Sequence, residues 1–329
     1  MPDRSAQKQQ RGGRHRDDTA AGRHFPTPHH RVVLASLSAG VVVMAGYCAV
    51  ATDATKGHGG DRVAQSATTS PGGALAPQPT PVPQASAPAS TDTLETDFAQ
   101  LRERMRGKVA IAISAVGADA KARVLGDWPA GPAWSTIKVP LAIAVLRETN
   151  QTEVSQNMVA AITDSDNAAA ESLWSSLGEP SVAAQKVEAV LRETGDQTAV
   201  QSRRVRPPFT AFGQTIWSLT AQTRFISSAV CDTRNGTIFA LMGRITPDQS
   251  WGLGNISGAR FKGGWGPKPT GEYLVRQIGV IPTPGGMTAV SMAVEPASGS
   301  LAQGTEELSD VASWLFAHRA QLPTGECST

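Results

Sequence analysis

The residues best suited to chemistry in this sequence are Ser135 and Lys138, three positions apart at the start of an apolar segment that runs to Arg147. On a helix, residues i and i+3 share one face, so we expect the Ser135 hydroxyl and the Lys138 amine to meet. The amine and the positive end of the helix dipole both favour the alkoxide that a serine nucleophile must become. The pair predicts nucleophilic catalysis, although Ser-x-x-Lys alone also occurs by chance in ordinary helices.

Two further motifs follow along the chain. They are Ser165-Asp166-Asn167 and Lys262-Gly263-Gly264. Taken alone, the first is a good helix start and the second is a glycine turn at the end of a short strand. Together, in this order after Ser135 and Lys138, they predict a single catalytic site.

The predicted secondary structure surrounds these motifs with one sheet. Helical periodicity is expected over residues 93–106, 135–147, 154–163, 167–177, 181–194, 219–230, 238–245 and 306–318. Strands are expected over residues 109–116, 122–125, 259–262, 273–281 and 287–294. Strands at both ends of a helical middle predict an α+β domain, in which one antiparallel sheet joins the two ends of the domain.

The three motifs resemble those of the penicillin-recognising serine enzymes, and within them the class A β-lactamases. The apolar register around Ser135 is similar to that family's nucleophile helix. The run Ser-Asp-Asn-Ala-Ala-Ala-Glu-Ser-Leu-Trp and the helix after it resemble the family's next segment. The resemblance covers roughly residues 93–316 and implies the class A β-lactamase-like fold, with no metal or organic cofactor.

The resemblance also implies a role for each motif residue. Ser135 would be the acylated nucleophile and Lys138 its proton acceptor. Ser165 would pass a proton to the leaving nitrogen, and Asn167 would hold Lys138 and the substrate amide. Lys262 would supply positive charge near Ser165 and the substrate carboxylate.

The same resemblance predicts the groups that hold the substrate. The backbone N–H groups of Ser135 and Trp265 would form the oxyanion hole, beside Gly264 on the strand. Where the family has threonine or serine, this chain has Gly263, so a hydroxyl that would bind a substrate carboxylate is missing. Arg276 is a candidate to take over part of that role; the alternative is an arginine on the surface of a strand.

A second departure concerns the step that releases the product. Class A β-lactamases carry a loop glutamate that activates the deacylating water, but residues 197–231 contain no Asp or Glu. Without that base an acyl-enzyme is expected to persist or to pass to another acceptor. The sequence therefore predicts poor β-lactamase activity.

These observations leave several functions open. The preferred one is a serine hydrolase or transferase that acts on D-Ala peptides of the cell wall, or that binds β-lactams and deacylates slowly. A weak β-lactamase and an esterase are the enzymatic alternatives. The non-catalytic alternative is a pseudoenzyme that binds peptidoglycan or a protein partner. The full motif set favours chemistry, whereas the missing hydroxyl and glutamate favour the binder.

The N-terminal part of the sequence predicts export. Residues 1–31 carry seven Lys or Arg and three Asp and are expected to form a basic, disordered cytoplasmic tail. Residues 32–51 contain no charge and, at about 1.5 Å per residue, would span a bilayer as an anchor. Residues 52–92 are expected to be a linker rich in Pro, Ala, Ser and Thr, and residues 93–329 the folded domain.

The anchor has an alternative, because the residues ending at Ala51 resemble a signal-peptidase site, and cleavage there would secrete the protein. The positive flank keeps the N-terminus inside and sends the domain outward. We expect no nucleic-acid partner, since the basic residues are explained by this topology. Cys48 is expected in the membrane segment, whereas Cys231 and Cys327 lie in the exported part, where a disulfide is permitted but not required.

Overall fold

The structure is a computed structural model that describes residues 91–117 and 121–328. The predicted tail, membrane anchor and almost all of the linker lie outside these residues. None of the helices in the described ranges is long and apolar enough to cross a membrane. The first helix begins at Thr91, which is two residues before the predicted start of the domain.

The described residues form eight α-helices and seven β-strands. The helices are α1 (Thr91–Arg104), α2 (Lys138–Thr149), α3 (Gln156–Thr163), α4 (Asn167–Ser176), α5 (Pro180–Glu193), α6 (Leu219–Ala229), α7 (Gly236–Met242) and α8 (Leu301–Ala317). The strands are β1 (Gly107–Ala115), β2 (Arg123–Gly126), β3 (Ala130–Pro132), β4 (Ile216–Ser218), β5 (Arg260–Pro267), β6 (Tyr273–Thr283) and β7 (Gly286–Pro296).

One five-stranded antiparallel sheet organises the domain. Its strand order is β2-β1-β7-β6-β5, so the first long strand lies beside the last one. That pairing extends from Gly107 opposite Pro296 to Ala115 opposite Thr288. The predicted α+β fold, with one antiparallel sheet joining the ends of the domain, is confirmed. A separate two-stranded sheet of β3 and β4 was not predicted.

The alternation of side chains along β1 explains how the sheet is covered on both faces. Val109, Ile111 and Ile113 pack in one cluster with apolar residues of α1 and α8. Ala110 and Ala112 belong to a different cluster, which includes Trp128 and Trp134. The small alanines leave room for aromatic side chains on the face where Trp134, the residue before Ser135, lies.

Helix α2 is surrounded by other elements. Every residue from Lys138 to Leu146 is buried, and the apolar ones share a single core with residues of α3 to α7. A helix that is apolar on all sides belongs in the interior of a domain. The consequence for the site is that its lysine is held in a rigid, dry environment.

The remaining differences from the sequence predictions are local. Most predicted ends lie within a few residues of the observed ends, but β5 continues five residues past Lys262 to Pro267. Cys231 and Cys327 form a disulfide across 96 residues of chain, with their Cα atoms 5.1 Å apart. The bond ties the segment after α6 to the C-terminal tail.

Candidate active site

Ser135 lies in a 3₁₀ turn, Trp134–Ile137, that leads directly into α2. We call it the nucleophile turn, after the role predicted for Ser135. Lys138 is the first residue of that α-helix, so the predicted single helix is in fact two joined segments. In a 3₁₀ turn the side chains at i and i+3 eclipse each other, which stacks the Ser135 and Lys138 side chains in line. Trp134 begins the turn with a left-handed φ of 49°, a conformation that is uncommon for a bulky residue.

Asp166 gives the Ser-Asp-Asn segment its shape. Its carboxylate accepts a hydrogen bond from the Ala169 backbone N–H at 2.6 Å and so caps α4. Ser165, just before the cap, has a left-handed φ of 58°, and Asn167 is the first residue of the helix. The helix cap that this motif predicts is therefore present, and Ser165 and Asn167 lie directly on either side of it.

Lys138 connects the nucleophile turn to this segment. Its Nζ donates to the Ser165 carbonyl at 2.5 Å and to Asn167 Oδ1 at 2.8 Å, and it lies 3.5 Å from Ser165 Oγ. Among the hydrogen bonds of the described residues, none joins Lys138 Nζ to Ser135 Oγ. Catalytic hydrogen bonds are often long in an unliganded site and shorten when substrate binds.

Lys262 approaches the same hydroxyl from β5. Its Nζ donates to Ser165 Oγ at 2.9 Å and to the Gly263 carbonyl at 3.0 Å. Ser165 Oγ consequently lies between two lysine amines. A hydroxyl in that position can accept a proton on one side and donate one on the other, which is the geometry a proton relay requires.

Burial changes the charge of both lysines. Lys138 is only 1% exposed, and burial lowers its pKa to about 7, although the nearby Asp166 carboxylate acts to raise it. Burial, and then the charge on Lys138, lower the pKa of fully buried Lys262 well below its usual value. An uncharged Lys138 near neutral pH has the free electron pair that a general base needs.

Strand β5 passes unusually close to the nucleophile turn, and its glycines allow this. A Cβ at position 264 would lie 2.9 Å from the backbone nitrogen of Ser135, and one at position 266 would lie 2.5 Å from the Trp134 ring. Only glycine fits at either position. Because β5 is an edge strand and lies against the Ser135 amide, the backbone here can present N–H groups to a developing oxyanion.

Gly263 is explained by a neighbour that the sequence did not indicate. A Cβ at position 263 would lie 3.2 Å from the Trp251 ring, and Trp251 in turn packs edge to face on Trp265 with ring centroids 5.9 Å apart. The indole takes part of the space that a threonine or serine side chain would need. A side chain at position 263 would therefore require the Trp251 ring to shift by a few tenths of an ångström.

Arg276 does not reach the substrate side of the site, which corrects both sequence interpretations. It is fully buried, and its guanidinium donates to the carbonyls of Gly131 and Pro132 at 2.9 and 3.0 Å. It also donates to the Trp217 carbonyl at 3.0 Å and to Gln222 Oε1. Burial lowers the pKa of Arg276 to about 9. Its role is to hold the backbone that leads into the nucleophile turn.

Gln222 extends this support to the turn itself. Its Nε2 donates to Thr136 Oγ1 at 2.9 Å, and Thr136 Oγ1 donates to the Ala133 carbonyl at 2.6 Å. Both side chains are fully buried. A continuous chain of hydrogen bonds thus runs from Arg276 to the residue next to Ser135, and it fixes the position of the nucleophile.

Ser135 opens onto a cleft of about 470 Å³. The residues that line it come from the turn at Ser135, α4, the loop before β4, the end of β5 and the start of β6: Trp134, Ser135, Asn167, Ala168, Glu171, Arg204, Pro208, Phe209, Thr210, Trp265, Gly266, Pro267 and Tyr273. The structure thereby brings Ser135, Lys138, Ser165, Asn167 and Lys262 together beside Gly264 and Trp265.

The cleft also contains a carboxylate that the sequence analysis did not identify. Glu171 lies four residues after Asn167 on α4 and forms an ion pair with Arg204, with Nη2 and Oε1 2.7 Å apart. The spacing of four from a motif residue on a helix was the signal that could have found it. Within the described residues, no group of three or more side chains is arranged to hold a metal ion.

The fold is similar to those of known structures at low sequence identity. The crystal structure of the TLA-1 extended-spectrum β-lactamase matches with a TM-score of 0.55 and 16% identity, over 68% of this chain and 99% of that one. The putative class A β-lactamase PenP from Rhodopseudomonas palustris matches with a TM-score of 0.52 and 18% identity, over 69% and 99%. The chromosome-encoded β-lactamase of Vibrio parahaemolyticus matches with a TM-score of 0.51 and 14% identity, over 68% and 98%.

No family model and no curated protein matches the sequence itself. The similarity is therefore one of architecture: the same mixture of helices and antiparallel sheet, over essentially the whole length of each of these enzymes. The chain has the fold of the class A β-lactamases, as its motifs implied.

Proposed function

We propose that this protein is a serine acyl-enzyme hydrolase or transferase that acts on D-Ala peptides of the cell wall. The observation that carries the proposal is the Ser165 hydroxyl, which lies between buried Lys138 and Lys262 next to the Ser135 turn. Burial of two lysine amines costs stability, and neighbouring groups with strongly shifted pKa values are typical of catalytic sites.

The proposed reaction begins with attack of Ser135 Oγ on the substrate carbonyl carbon. Uncharged Lys138 takes the hydroxyl proton, and backbone N–H groups at the turn and at β5 stabilise the oxyanion. Lys138 gives this proton to Ser165 as the Ser165 hydroxyl gives its own to the leaving nitrogen, with Lys262 holding the hydroxyl in place, and the bond from the carbonyl carbon to that nitrogen breaks. The product of this half-reaction is an ester of Ser135 and a free amine.

We further propose that residues 32–51 anchor the protein in the cell membrane, with cleavage after Ala51 as the alternative. The domain would then lie outside the cytoplasm, where D-Ala peptides of the cell wall are found. The Cys231–Cys327 disulfide supports this location, because disulfides persist in oxidising compartments.

An esterase is the second candidate, and the packing at Gly263 favours it. The Trp251 ring lies against position 263, where the carboxylate-binding hydroxyl would be attached, and Arg276 binds backbone carbonyls. Of the groups expected to bind a substrate carboxylate, the hydroxyl and Arg276 are thus missing from that side of the cleft, which leaves only Lys262 among the residues predicted for that role. An ester without a carboxylate would bind there at no such disadvantage.

The intact mass of the full chain after exposure to benzylpenicillin tests the proposal. A mass increase of one penicillin that is absent in Ser135→Ala would support acylation at Ser135. Release of a small-ester product such as p-nitrophenol, again lost in Ser135→Ala but without a penicillin adduct, would favour the esterase. If Ser135 is required for neither reaction, the chemistry proposed here is wrong.

A further inference from the structure

Residues 197–231 supply no acidic residue, yet the cleft is not without a base. Among the described residues that line it, Glu171 is the only carboxylate. Its side chain is 29% exposed, so water reaches it. A carboxylate in contact with both solvent and the nucleophile's cleft is positioned to act on a water molecule.

Helix geometry places Glu171 on the side of α4 that faces the catalytic residues. Asn167, whose Oδ1 accepts from Lys138, lies four residues earlier on the same helix. Residues i and i+4 lie on one helix face and are separated by about 6 Å along the axis. Glu171 is therefore one helical turn from Asn167, the residue that binds Lys138.

The ion pair with Arg204 fixes the carboxylate without using all of it. Arg204 Nη2 binds Oε1 at 2.7 Å, whereas Oε2 has no hydrogen-bond partner in the part of the chain that the structure describes. The Arg204 side chain is 52% exposed, so the pair lies at the rim of the cleft. One oxygen is held by the protein and the other remains open to a water molecule.

We infer that Glu171 is the general base that activates water to hydrolyse the Ser135 ester, an inference that rests on the function proposed above. Glu171 takes a proton from the water while the water oxygen bonds to the acyl carbon. The bond between that carbon and Ser135 Oγ then breaks, and the proton returns to Oγ through Lys138. One water is consumed, and a free acid and an unmodified serine are produced.

This assignment changes the expectation drawn from the missing loop glutamate. The acyl-enzyme is not permanent; its lifetime is set by a carboxylate that comes from a helix and is partly engaged by Arg204. Hydrolysis is therefore expected to occur, but slowly, because Arg204 engages Oε1 and leaves only Oε2 to orient a water molecule.

Glu171→Gln in the full chain tests the inference. After benzylpenicillin is removed, the decay of the Ser135 adduct is followed by intact mass in the wild type and in the variant. Loss of a general base is worth a factor of about 10² to 10⁴ in rate, so the adduct is expected to persist at least about a hundred times longer. The rate of adduct formation is expected to stay within a factor of about three, because acylation uses Lys138.

Two controls separate a catalytic role from a structural one. Glu179→Gln removes an exposed carboxylate at the start of α5, outside the cleft, and is expected to leave both rates unchanged. Hydroxylamine attacks an ester without help from a base, so it is expected to release the Glu171→Gln adduct as fast as the wild-type adduct. A damaged site would fail this rescue.

The outcomes distinguish the two proposals. Adduct decay that is equal in the wild type and Glu171→Gln, or a wild-type adduct that does not hydrolyse at all, overturns the role of Glu171 and leaves acylation by Ser135 intact. Turnover by the wild type with an adduct that accumulates only in Glu171→Gln supports that role. Absence of both adduct and turnover overturns the two proposals together.

Discussion

Lys138 and Arg276 are both buried cationic side chains next to the nucleophile turn, and they behave differently. Neither forms a salt bridge within the described residues, and burial lowers the pKa of each, to about 7 for Lys138 and about 9 for Arg276. At neutral pH Arg276 keeps its charge, whereas about half of Lys138 has lost its own. Burial thus converts the lysine into a base, while the arginine remains a charged donor that binds backbone oxygens.

The partners of the two residues explain the difference. Arg276 donates to three backbone carbonyls and to Gln222, all of which belong to the fixed scaffold. Lys138 donates to Ser165 and Asn167, which belong to the reactive side of the site. Removing Lys138 should damage chemistry, and removing Arg276 should damage folding.

The largest effect is expected from Lys138→Met, which keeps the volume of the side chain and removes its amine. Loss of the base that takes the Ser135 proton should slow acylation by a factor of about 10² to 10⁴. The rate is measured from the formation of the penicillin adduct by intact mass. The melting temperature should change little, because removal of a costly buried amine offsets the loss of its hydrogen bonds to Ser165 and Asn167.

Lys108→Met is the matched control, since Lys108 is exposed at the start of β1. It should leave acylation unchanged. If the acylation rate of Lys138→Met is within a factor of about three of the wild-type rate, another group takes the proton. Lys138 would then have no catalytic role to distinguish it from Arg276.

Arg276→Met is expected to lower the free energy of unfolding by about 3–5 kcal/mol, because several buried acceptors lose a hydrogen-bond donor at about 1–3 kcal/mol each. The carbonyls of Gly131, Pro132 and Trp217 and the side chain of Gln222 would lose the guanidinium as their donor. Denaturant unfolding followed by circular dichroism measures the change. Arg203 is exposed, so Arg203→Met serves as the control and should change the free energy of unfolding by less than about 0.5 kcal/mol.

A different result would restore the original interpretation of Arg276. If its removal leaves stability unchanged but weakens penicillin binding, the guanidinium contacts the substrate after all. A loss of stability with slower acylation and unchanged selectivity between acidic and neutral substrates would agree with a support role.

The pH dependence of acylation should follow Lys138. The base must be uncharged, and its pKa is about 7. As the pH falls below that value, the uncharged fraction decreases tenfold for each unit, so acylation should slow by about tenfold per pH unit. Adduct formation between about pH 5.5 and 8.5 measures this, and a flat profile would exclude a neutral Lys138 as the base.

The smallest effect is expected at Gly263. Gly263→Thr restores the hydroxyl but must displace the Trp251 ring, so we expect a loss of about 1–3 kcal/mol in stability and no gain in penicillin acylation. The double variant Trp251→Ala/Gly263→Thr removes the indole ring as well. It should be acylated about tenfold faster than Trp251→Ala alone, because the new hydroxyl adds one hydrogen bond to the penicillin carboxylate. Equal rates in these two variants would show that the hydroxyl has no role.

The parts of the site that sequence could predict are those formed by neighbours along the chain. Ser135 and Lys138 are stacked by a local turn, and Ser165 and Asn167 flank the Asp166 cap, so each pair is positioned within a few residues. Their resemblance to a known set then supplied the roles. The α+β fold followed from the order of strands and helices alone.

The parts that sequence did not reveal depend on contacts between distant segments. In β6 every residue from Leu274 to Val280 is buried, so no alternation of polar and apolar residues indicated the direction of Arg276. Trp251 reaches Gly263 from a separate turn, and no pattern predicts that contact. The spacing of Glu171, four residues after Asn167, could be read from the sequence. Its place in the cleft beside Ser135 could not, because the cleft is formed by distant segments.

The sheet order also determines when the site can form during synthesis. Strand β1 pairs with β7, about 180 residues later in the chain, and the turn at Ser135 rests on β5 and on Arg276 of β6. Contacts between such distant segments form late. A nascent chain that has emerged only as far as α7 contains Ser135, Ser165 and Asn167 but lacks β5 and Arg276. We therefore expect it to be inactive until nearly the whole domain has been made.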